Sequence, residues 1–318
     1  MKFGVVGIGN HAVNRVMPAI LESGNEISGI TTTNKEKGDE ISKKFSCKYY
    51  PTYGEMLSDD IDSVYVGSPN FMHFEHARKA LNHSKHVLLE KQMTLRSADA
   101  KELISLATER KAKLGIGFHL RMHPALDYIK NEILKPDEEI IYESGMWTHK
   151  SAAREQTTDS KWWSEPDKVG GGSVMGTGVH VIDTLISFHN RFPRKVTSFR
   201  MPEEKIIDES MIVNMQFEKG FATAFSSRQM GPISNDLTLL TADRKIKCRN
   251  FFGTSINAVV EIDDEMVKEF KSGNMYAEEV SEFVKYANGE KSRIATGNDG
   301  YRVVRVVEEA QRFISMVR

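Results

Sequence analysis

Lys91 and His180 are the two side chains of this sequence that we predict to handle a proton. Oxidising an alcohol removes a hydride from carbon and a proton from oxygen. A partly desolvated lysine can have its pKa lowered towards neutrality, and imidazole titrates in the same range. Lys91 follows an apolar run, and His180 follows the glycine-rich segment 170–178. From position alone, a solvated surface lysine and a core histidine on an apolar helix face are the simpler interpretations.

The start of the chain predicts a binding site for a dinucleotide. Phe3–Val6 is typical of a strand, the segment Gly7-Ile8-Gly9-Asn10-His11-Ala12 follows directly, and a helix pattern comes next. The first glycine allows a sharp turn, the second leaves room for a phosphate, and the small alanine permits close helix–strand packing. Free N–H groups at the helix start would meet the anion. We expect the cofactor contacts to include Gly7, Gly9, Asn10, His11 and Ala12.

The end of the second predicted strand bears on the choice between NADP and NAD. NAD-binding proteins carry an acidic residue about 20 residues after the glycine turn, where it bonds the ribose 2′-hydroxyl. This chain has Thr32 and Thr33 there, with Lys35 and Lys37 close behind. Hydroxyl and ammonium groups suit a 2′-phosphate. We therefore expect Thr32, Thr33 and Lys37 to bind NADP, with NAD and an ordinary solvated helix start as the alternatives.

Strand and helix patterns alternate through the first part of the chain. Short apolar runs predict strands at 3–6, 27–31, 63–67, 86–89 and 114–117, and the intervening helices at 12–22, 35–45, 71–82 and 97–111. This alternation is typical of a parallel sheet covered on both faces. We predict an α/β protein whose first domain, 1–120, is a dinucleotide-binding Rossmann domain with a doubly wound parallel sheet.

The pattern changes after residue 120. Helices are predicted at 124–134, 179–188, 277–288 and 299–317, and strands at 139–148, 195–201, 210–218, 221–228, 236–242, 245–250 and 257–263. Successive strands without helices between them indicate a mostly antiparallel sheet. We predict a second α/β domain, 121–318, with a large open sheet for substrate binding and oligomerisation.

Composition excludes several classes of protein. The net charge of −1 gives no reason to expect nucleic acid or a membrane surface as a partner. The two cysteines, Cys47 and Cys248, lie far apart and form no CxxC pair. This argues against a disulfide scaffold or a zinc-thiolate site and is consistent with a reducing compartment. No signal peptide or membrane span is expected, so we predict a cytoplasmic location. Histidine pairs at 73/76 and 119/123 could in principle hold a metal ion, but we expect none, because no third ligand or HExxH motif supports it.

Four motifs together resemble the Gfo/Idh/MocA oxidoreductases. They are the glycine turn, Ser68-Pro69-Asn70, Glu90-Lys91-Gln92, and a glycine triplet followed by Gly-x-His-x-x-Asp over 170–183. Tyr276 with Glu279, Phe283 and Gly289 also resembles the family's C-terminal helix motif, so the resemblance runs over essentially the whole chain.

The resemblance implies hydride transfer between a bound nicotinamide cofactor and a sugar, cyclitol or related polyhydroxy or keto compound. It places Lys91 and His180 beside the substrate carbinol, and it implies a homodimer or homotetramer formed through the C-terminal sheet. Further cofactor contacts are expected at Ser68, Pro69, Asn70, His73, Glu90, Lys91 and Gln92.

The positions of several other residues along the chain suggest that they contact the substrate. For each of them, packing in a helix, in the core or at an interface is the simpler interpretation. His119 and Arg121 stand where the patterns change, and paired tryptophans precede the glycine triplet. The predicted substrate-binding residues are Lys91, His119, Arg121, Trp162, Trp163, Thr177, His180, Asp183 and Tyr276.

The chain departs from the family pattern at two positions. Gly176 stands four residues before His180, where the family commonly has an aspartate that forms a Lys-Asp-His relay. Either Lys91 and His180 act without it, or Asp183 or a water replaces it, or catalysis is weak. Gln92 replaces the proline of the family's Glu-Lys-Pro. Gly176 keeps open the alternative of a dinucleotide-binding sensor without turnover. A lyase or glycosidase that retains its cofactor is a further alternative.

Overall fold

The structure, a computed structural model, describes residues 1–150, 162–189, 191–231, 235–255, 257–271 and 273–312. It divides into two compact units. The first comprises Met1–His119 and Asn274–Tyr301, and the second comprises Leu120–Gly273 and Arg302–Arg318. No helix in the described ranges has the length and apolar character that crossing a membrane requires.

The strands and helices are numbered in chain order. The strands are β1 Lys2–Val6, β2 Glu26–Thr31, β3 Lys48–Tyr50, β4 Ser63–Val66, β5 His86–Glu90, β6 Leu114–Gly117, β7 Tyr142–Thr148, β8 Lys195–Met201, β9 Ser210–Gln216, β10 Phe221–Ser227, β11 Leu237–Leu240, β12 Lys245–Arg249, β13 Ala258–Ile262, β14 Glu265–Phe270 and β15 Ala295–Thr296. The helices are α1 Met17–Glu22, α2 Lys35–Phe45, α3 Tyr53–Leu57, α4 His73–Asn82, α5 Ser97–Glu109, α6 Pro124–Tyr128, α7 Pro166–Val169, α8 Val179–His189, α9 Met275–Ala287 and α10 Gly297–Arg312.

In the described part of the chain, three helices contain a π-helical turn. These turns are Ala12–Val16 before α1, Ile129–Ile133 after α6, and Val174–Gly178 before α8. Single π-turns often mark functional sites. Here one of the three begins at Ala12, the last residue of the glycine segment, and another leads directly to His180.

The first unit is built on a seven-stranded sheet in the order β15-β6-β5-β4-β1-β2-β3. All pairs are parallel except β15, which runs antiparallel to β6. The order β3-β2-β1-β4-β5-β6 is that of a Rossmann fold, in which ligands bind beyond the carboxyl ends of the strands where the order reverses. In this chain the reversal lies between β1 and β4, so the predicted Rossmann sheet is confirmed.

The chain returns to the first unit near its end. Helix α9 and strand β15 belong to this unit, and Ala295 and Thr296 pair with Ile116 and Gly115 of β6. The predicted domains 1–120 and 121–318 do not include this return to the first unit. The sequence pattern could not reveal it, because it does not show which sheet a two-residue strand joins. The assignment of separate binding roles to the two parts of the chain stays a prediction.

The second unit is built on an eight-stranded sheet in the order β14-β13-β12-β11-β7-β10-β9-β8. Its neighbouring strands are antiparallel except β7 and β10, which are parallel. Helix α8 packs on one face, against β7 and β10. Val181 of α8 comes so close to Gly145 of β7 that a Cβ there would lie 2.7 Å from its side chain. The predicted open, mostly antiparallel sheet is therefore confirmed.

Strand β14 is absent from the sequence prediction. Its residues are almost all exposed, and it forms one edge of the sheet, so it lacks the alternation of apolar and polar residues that reveals a half-buried strand. The signal that could have revealed it is the pair Asp263-Asp264, which joins β13 to β14 with φ values of 51° and 70°. Both residues adopt the left-handed conformation, as a two-residue hairpin of type I′ requires.

Candidate active site

The glycine turn has the geometry that a dinucleotide phosphate requires. Gly7 has a φ of 86°, and a Cβ there would lie 2.2 Å from the backbone nitrogen of Ser68, so only glycine fits. A Cβ on Gly9, in contrast, would meet nothing within 4 Å. Ala12 is 1% exposed and packs inward at the start of the helix. The turn is thus closed on the side of β4 and open at Gly9, where a phosphate is expected.

The segment after β2 presents polar groups around a helix start. Asn34 caps α2 by accepting the N–H of Lys37 at 3.0 Å, and the hydroxyl of Thr32 accepts the N–H of Asn34 at 3.3 Å. Lys35 is paired with Asp39 at 2.5 Å, whereas the ammonium group of Lys37 forms no ion pair within the described ranges. Of the two lysines, Lys37 is therefore the one whose charge is available to a ligand.

His73 joins the loops that follow β4 and β5. Its Nε2 lies 2.7 Å from the carbonyl oxygen of Ser68, and its Nδ1 lies 2.6 Å from that of Gln92. Burial lowers the pKa of His73, while these two carbonyls act in the opposite direction. His73 and Gln92 are 1% and 2% exposed. Their side chains are enclosed by protein, and the direct cofactor contact expected of them stays a prediction.

Glu90 is the centre of a polar cluster at the carboxyl end of β5. Its Oε1 accepts the hydroxyl of Tyr65 at 2.9 Å and lies 3.2 Å from Nε2 of His11, and its Oε2 accepts the N–H of Lys91 at 3.3 Å. Burial acts to raise the pKa of Glu90, but His11, Lys91 and Tyr65 together outweigh it and hold that pKa at about 2. Glu90 therefore stays ionised and links the glycine turn to Lys91.

Lys91 itself directly follows the last residue of β5 and is partly exposed. The peptide bond between Lys91 and Gln92 is cis. Because Lys91 stands at the carboxyl end of a central parallel strand, it occupies the edge of the sheet at which Rossmann folds bind their ligands.

Three predicted contact residues form a ring cluster in the first unit. The ring of Tyr276 stacks on His119 with centroids 4.8 Å apart, and it meets His11 edge-on at 5.4 Å. Burial, followed by the negative charge of Glu90, raises the pKa of the Tyr276 hydroxyl, so it stays protonated. Sequence positions 11, 119 and 276 are thus brought together beside Glu90.

In the second unit, Arg121 and Asp183 form a bidentate ion pair. The Nε and Nη2 atoms of Arg121 donate to the two carboxylate oxygens of Asp183 at 2.9 and 2.8 Å. The side chains are 14% and 2% exposed. Because both oxygens of Asp183 accept hydrogen bonds from Arg121, the carboxylate already has a strong partner. This weakens the hypothesis that Asp183 replaces the missing relay aspartate.

His180 lies on α8, and Trp147 of β7 packs against it. Their ring centroids are 5.3 Å apart, and His180 is 3% exposed. Thr177 precedes it on the same helical segment and donates its hydroxyl to the carbonyl of Ser173 at 3.4 Å. A Cβ on Gly176 would meet nothing within 4 Å. The Cβ of a larger residue would therefore meet no obstacle at Gly176, where the family commonly has an aspartate.

The remaining predicted residues are placed as follows. Trp162 and Trp163 stack with centroids 4.2 Å apart and are partly exposed. Ser68 and Asn70 are buried, and the Ser68 hydroxyl bonds Nδ1 of His76 at 2.9 Å. Pro69 precedes a short 3-10 turn, Asn70–Met72. Among the described residues, no three His, Cys, Asp or Glu side chains could together hold a metal ion.

Sequence reasoning missed Tyr65 and Trp147 as members of these clusters. Tyr65 lies on β4, whose four residues are all buried, so it was part of an ordinary apolar strand pattern. A hydroxyl in a buried strand next to the switch point is the signal that could have identified it, since buried hydroxyls need a partner. Trp147 lies within a strand whose register could not be derived from the sequence.

Comparison with known proteins shows a family match over the first part of the chain. Residues 1–118 match the profile of the Gfo/Idh/MocA oxidoreductase family with an NAD-binding Rossmann fold. The resemblance inferred from the motifs is confirmed, and this part of the chain belongs to that oxidoreductase family.

Two curated relatives match with different coverage. A UDP-N-acetylglucosamine 3-dehydrogenase from Acidithiobacillus ferrooxidans is 31% identical over 130 residues, which is 41% of each chain. A 1,5-anhydro-D-fructose reductase from Ensifer adhaerens is 26% identical over 318 residues, covering 94% of this chain and 92% of that protein. Among solved structures, a 3-ketoreductase from Actinomadura kijaniata in complex with NADP and TDP-benzene has a TM-score of 0.82 at 20% identity, with 98% and 97% of the chains covered. This structural likeness supports the fold.

Proposed function

We propose that this chain is an NAD(P)-dependent oxidoreductase that transfers a hydride between nicotinamide and a hydroxyl or keto group of a sugar, cyclitol or related compound. Lys91 and His180 handle the proton. The observation that carries the proposal is the position of Lys91 at the carboxyl end of β5, beside the Glu90 cluster that reaches the open glycine turn. The relatives named above act on sugars or nucleotide sugars, which supports the substrate class.

The residues of the first unit fit a nicotinamide dinucleotide. The open space at Gly9 and the helix start would hold the pyrophosphate. The exposed ring of His11, which packs on the buried pair Tyr276 and His119, lies beside the ionised Glu90. When bound, the cofactor supplies the hydride chemistry. The protein supplies orientation and the proton: neutral Lys91 accepts it from the substrate hydroxyl, and protonated Lys91 returns it to a ketone.

The direct test is turnover with a panel of free sugars, sugar phosphates, nucleotide sugars and cyclitols. Formation of reduced nicotinamide with any of these compounds, lost in a Lys91 variant, is the expected result. Conversion of a glycoside without net change in cofactor absorbance would instead support the lyase or glycosidase reading. Measuring both cofactor absorbance and products for every compound of the panel therefore distinguishes an oxidoreductase from a lyase or glycosidase.

A sensor without turnover is the second candidate, and Gly176 is the observation that favours it. A glycine at this position can neither orient His180 nor accept a proton. Saturable cofactor binding with no turnover on any compound of the panel would select this candidate.

NADP is the cofactor we propose, with NAD as the alternative. We expect Lys37→Ala to weaken NADPH binding about tenfold and to leave NADH binding nearly unchanged, because only the 2′-phosphate meets this ammonium group. Fluorescence titration with each cofactor measures both constants. Lys35→Ala is the matched control, since Lys35 is paired with Asp39. An equal loss for both cofactors, or tighter NADH binding by the wild type, would contradict the assignment.

The proposed homo-oligomer forms through the free face of the eight-stranded sheet. In the register of β8, β9 and β10, Phe199 is opposite Ile212, which is opposite Phe225, so these side chains form one row across three strands. Phe199 is 73% exposed, and Met201 and Phe221 nearby are 68% and 54% exposed. Apolar side chains concentrated on one sheet face mark an interaction surface.

Phe199→Glu is therefore expected to convert the oligomer to monomer, because it places a charge in the middle of an apolar interface. Light scattering after size exclusion measures the mass. Leu21→Glu is the control, because Leu21 is 46% exposed but lies on α1 of the first unit. A wild-type protein that is already monomeric, or a Phe199→Glu protein of unchanged mass, would refute this interface.

A further inference from the structure

We propose that Asp208 is a positioning residue that holds the helical segment carrying Thr177 and His180 in register. The inference rests on the proposed function, because it concerns the histidine to which that function assigns the proton. Asp208 lies in the connection between β8 and β9, and nothing in the sequence pattern marks it.

The carboxylate of Asp208 is fully engaged at the start of this segment. Its Oδ1 accepts the N–H of Gly172 at 2.7 Å, and its Oδ2 accepts the N–H of Val174 at 3.1 Å and the hydroxyl of Ser173. Its backbone carbonyl accepts the N–H of Ser173 at 2.9 Å. Asp208 is 1% exposed. An anion that binds the free N–H groups at a helix start stabilises that start by hydrogen bonding and by its interaction with the helix dipole.

Close approach of the Asp208 backbone explains the last glycine of the triplet. A Cβ on Gly172 would lie 1.7 Å from the carbonyl oxygen of Asp208. No side chain can be accommodated at that distance. The glycine-rich lead-in to His180 is therefore shaped to receive the Asp208 connection.

The same contact fixes the segment to the sheet. The hydroxyl oxygen of Ser173 lies 3.1 Å from the carbonyl oxygen of Ser226 and 3.0 Å from its hydroxyl oxygen, on β10. From Ser173 the chain continues without a break through the π-turn Val174–Gly178 into α8. A change at Asp208 is thus transmitted along a helix to His180, and a displacement of about 1 Å at a reacting group can cost about 10²-fold in rate.

Trp147 provides a local probe of the position of His180. The chain has three tryptophans, and Trp162→Phe with Trp163→Phe leaves Trp147 alone, 5.3 Å from the His180 ring. An imidazole packed against an indole changes the emission of that indole. Measured against His180→Gln in the same background, the loss of Trp147 emission caused by the His180 ring defines a quenching step that reports the contact between the two rings.

We expect Asp208→Ala in this background to reduce the quenching step strongly, and in the otherwise unchanged protein to lower kcat about 10²-fold with the Kd for NADPH unchanged. Asp208→Asn, which keeps a carbonyl acceptor, should give a smaller change in the quenching step and in kcat. Glu209→Ala is the matched control and should leave the quenching step and kcat as in the wild type. If Asp208→Ala prevents folding, the same measurements are made on Asp208→Asn.

Folded Asp208 variants with an unaltered quenching step and unaltered kcat would overturn the proposal. A quenching step that depends on Asp208 in a protein without any turnover would support the positioning role while refuting the proposed function. The two claims are thus tested separately.

Discussion

Lys91→Met is expected to lower kcat by about 10³-fold, within the range by which positioned acid–base groups accelerate reactions. Methionine keeps the length and apolar stem of lysine but can neither accept nor donate the proton. The contacts of Glu90 with His11 and Tyr65 do not involve the Lys91 side chain, so the site that we assign to the cofactor should persist. NADPH binding should therefore stay close to that of the wild type.

Lys91→Arg separates charge from proton transfer. Arginine retains a positive charge and hydrogen-bond donors, but it does not deprotonate in proteins, so we expect it to be almost as inactive as the methionine variant. Lys79→Met, an exposed lysine on α4 of the same unit, is the matched control and should be fully active. Steady-state kinetics and a cofactor titration give the result. Turnover of Lys91→Met at the wild-type rate would refute the role of this residue.

His180→Gln is expected to lower kcat by about 10²-fold and to remove one limb of the pH–rate profile. Glutamine can donate and accept hydrogen bonds but does not titrate near neutral pH. The simpler interpretation of His180, a core histidine packed on Trp147, predicts a different outcome, namely reduced thermal stability with kcat retained.

Measuring the melting temperature and the pH–rate profile on the same preparation distinguishes these interpretations. A stable, folded His180→Gln protein with impaired turnover supports the proton-handling role. A destabilised protein with a normal profile would assign the histidine to packing.

Local patterns predicted the first sheet well because each of its longer strands is a short apolar run bounded by a turn. The glycine turn was predictable for the same reason, since the requirement for glycine at Gly7 is a property of the local backbone. The resemblance to a known family then pointed to Lys91 and His180.

The contacts that surround these residues could not be predicted from the sequence. The Glu90 cluster joins residues from positions 11, 65 and 90, and Arg121 meets Asp183 across 62 positions of sequence. Such pairs depend on register and packing, which periodicity does not determine. Asp208 was missed because it lies in a connection, where no periodic pattern exists to make a polar residue stand out.

The most direct test of the central claim is a fluorescence titration of the wild type and of Gly9→Asp with NADPH. A side chain at this position meets open space, so the variant should fold and melt as the wild type does, yet its carboxylate would repel the pyrophosphate. The account predicts saturable binding by the wild type and a loss of about 10²-fold or more in the variant. Equal binding by both proteins, or no binding by the wild type, would contradict it.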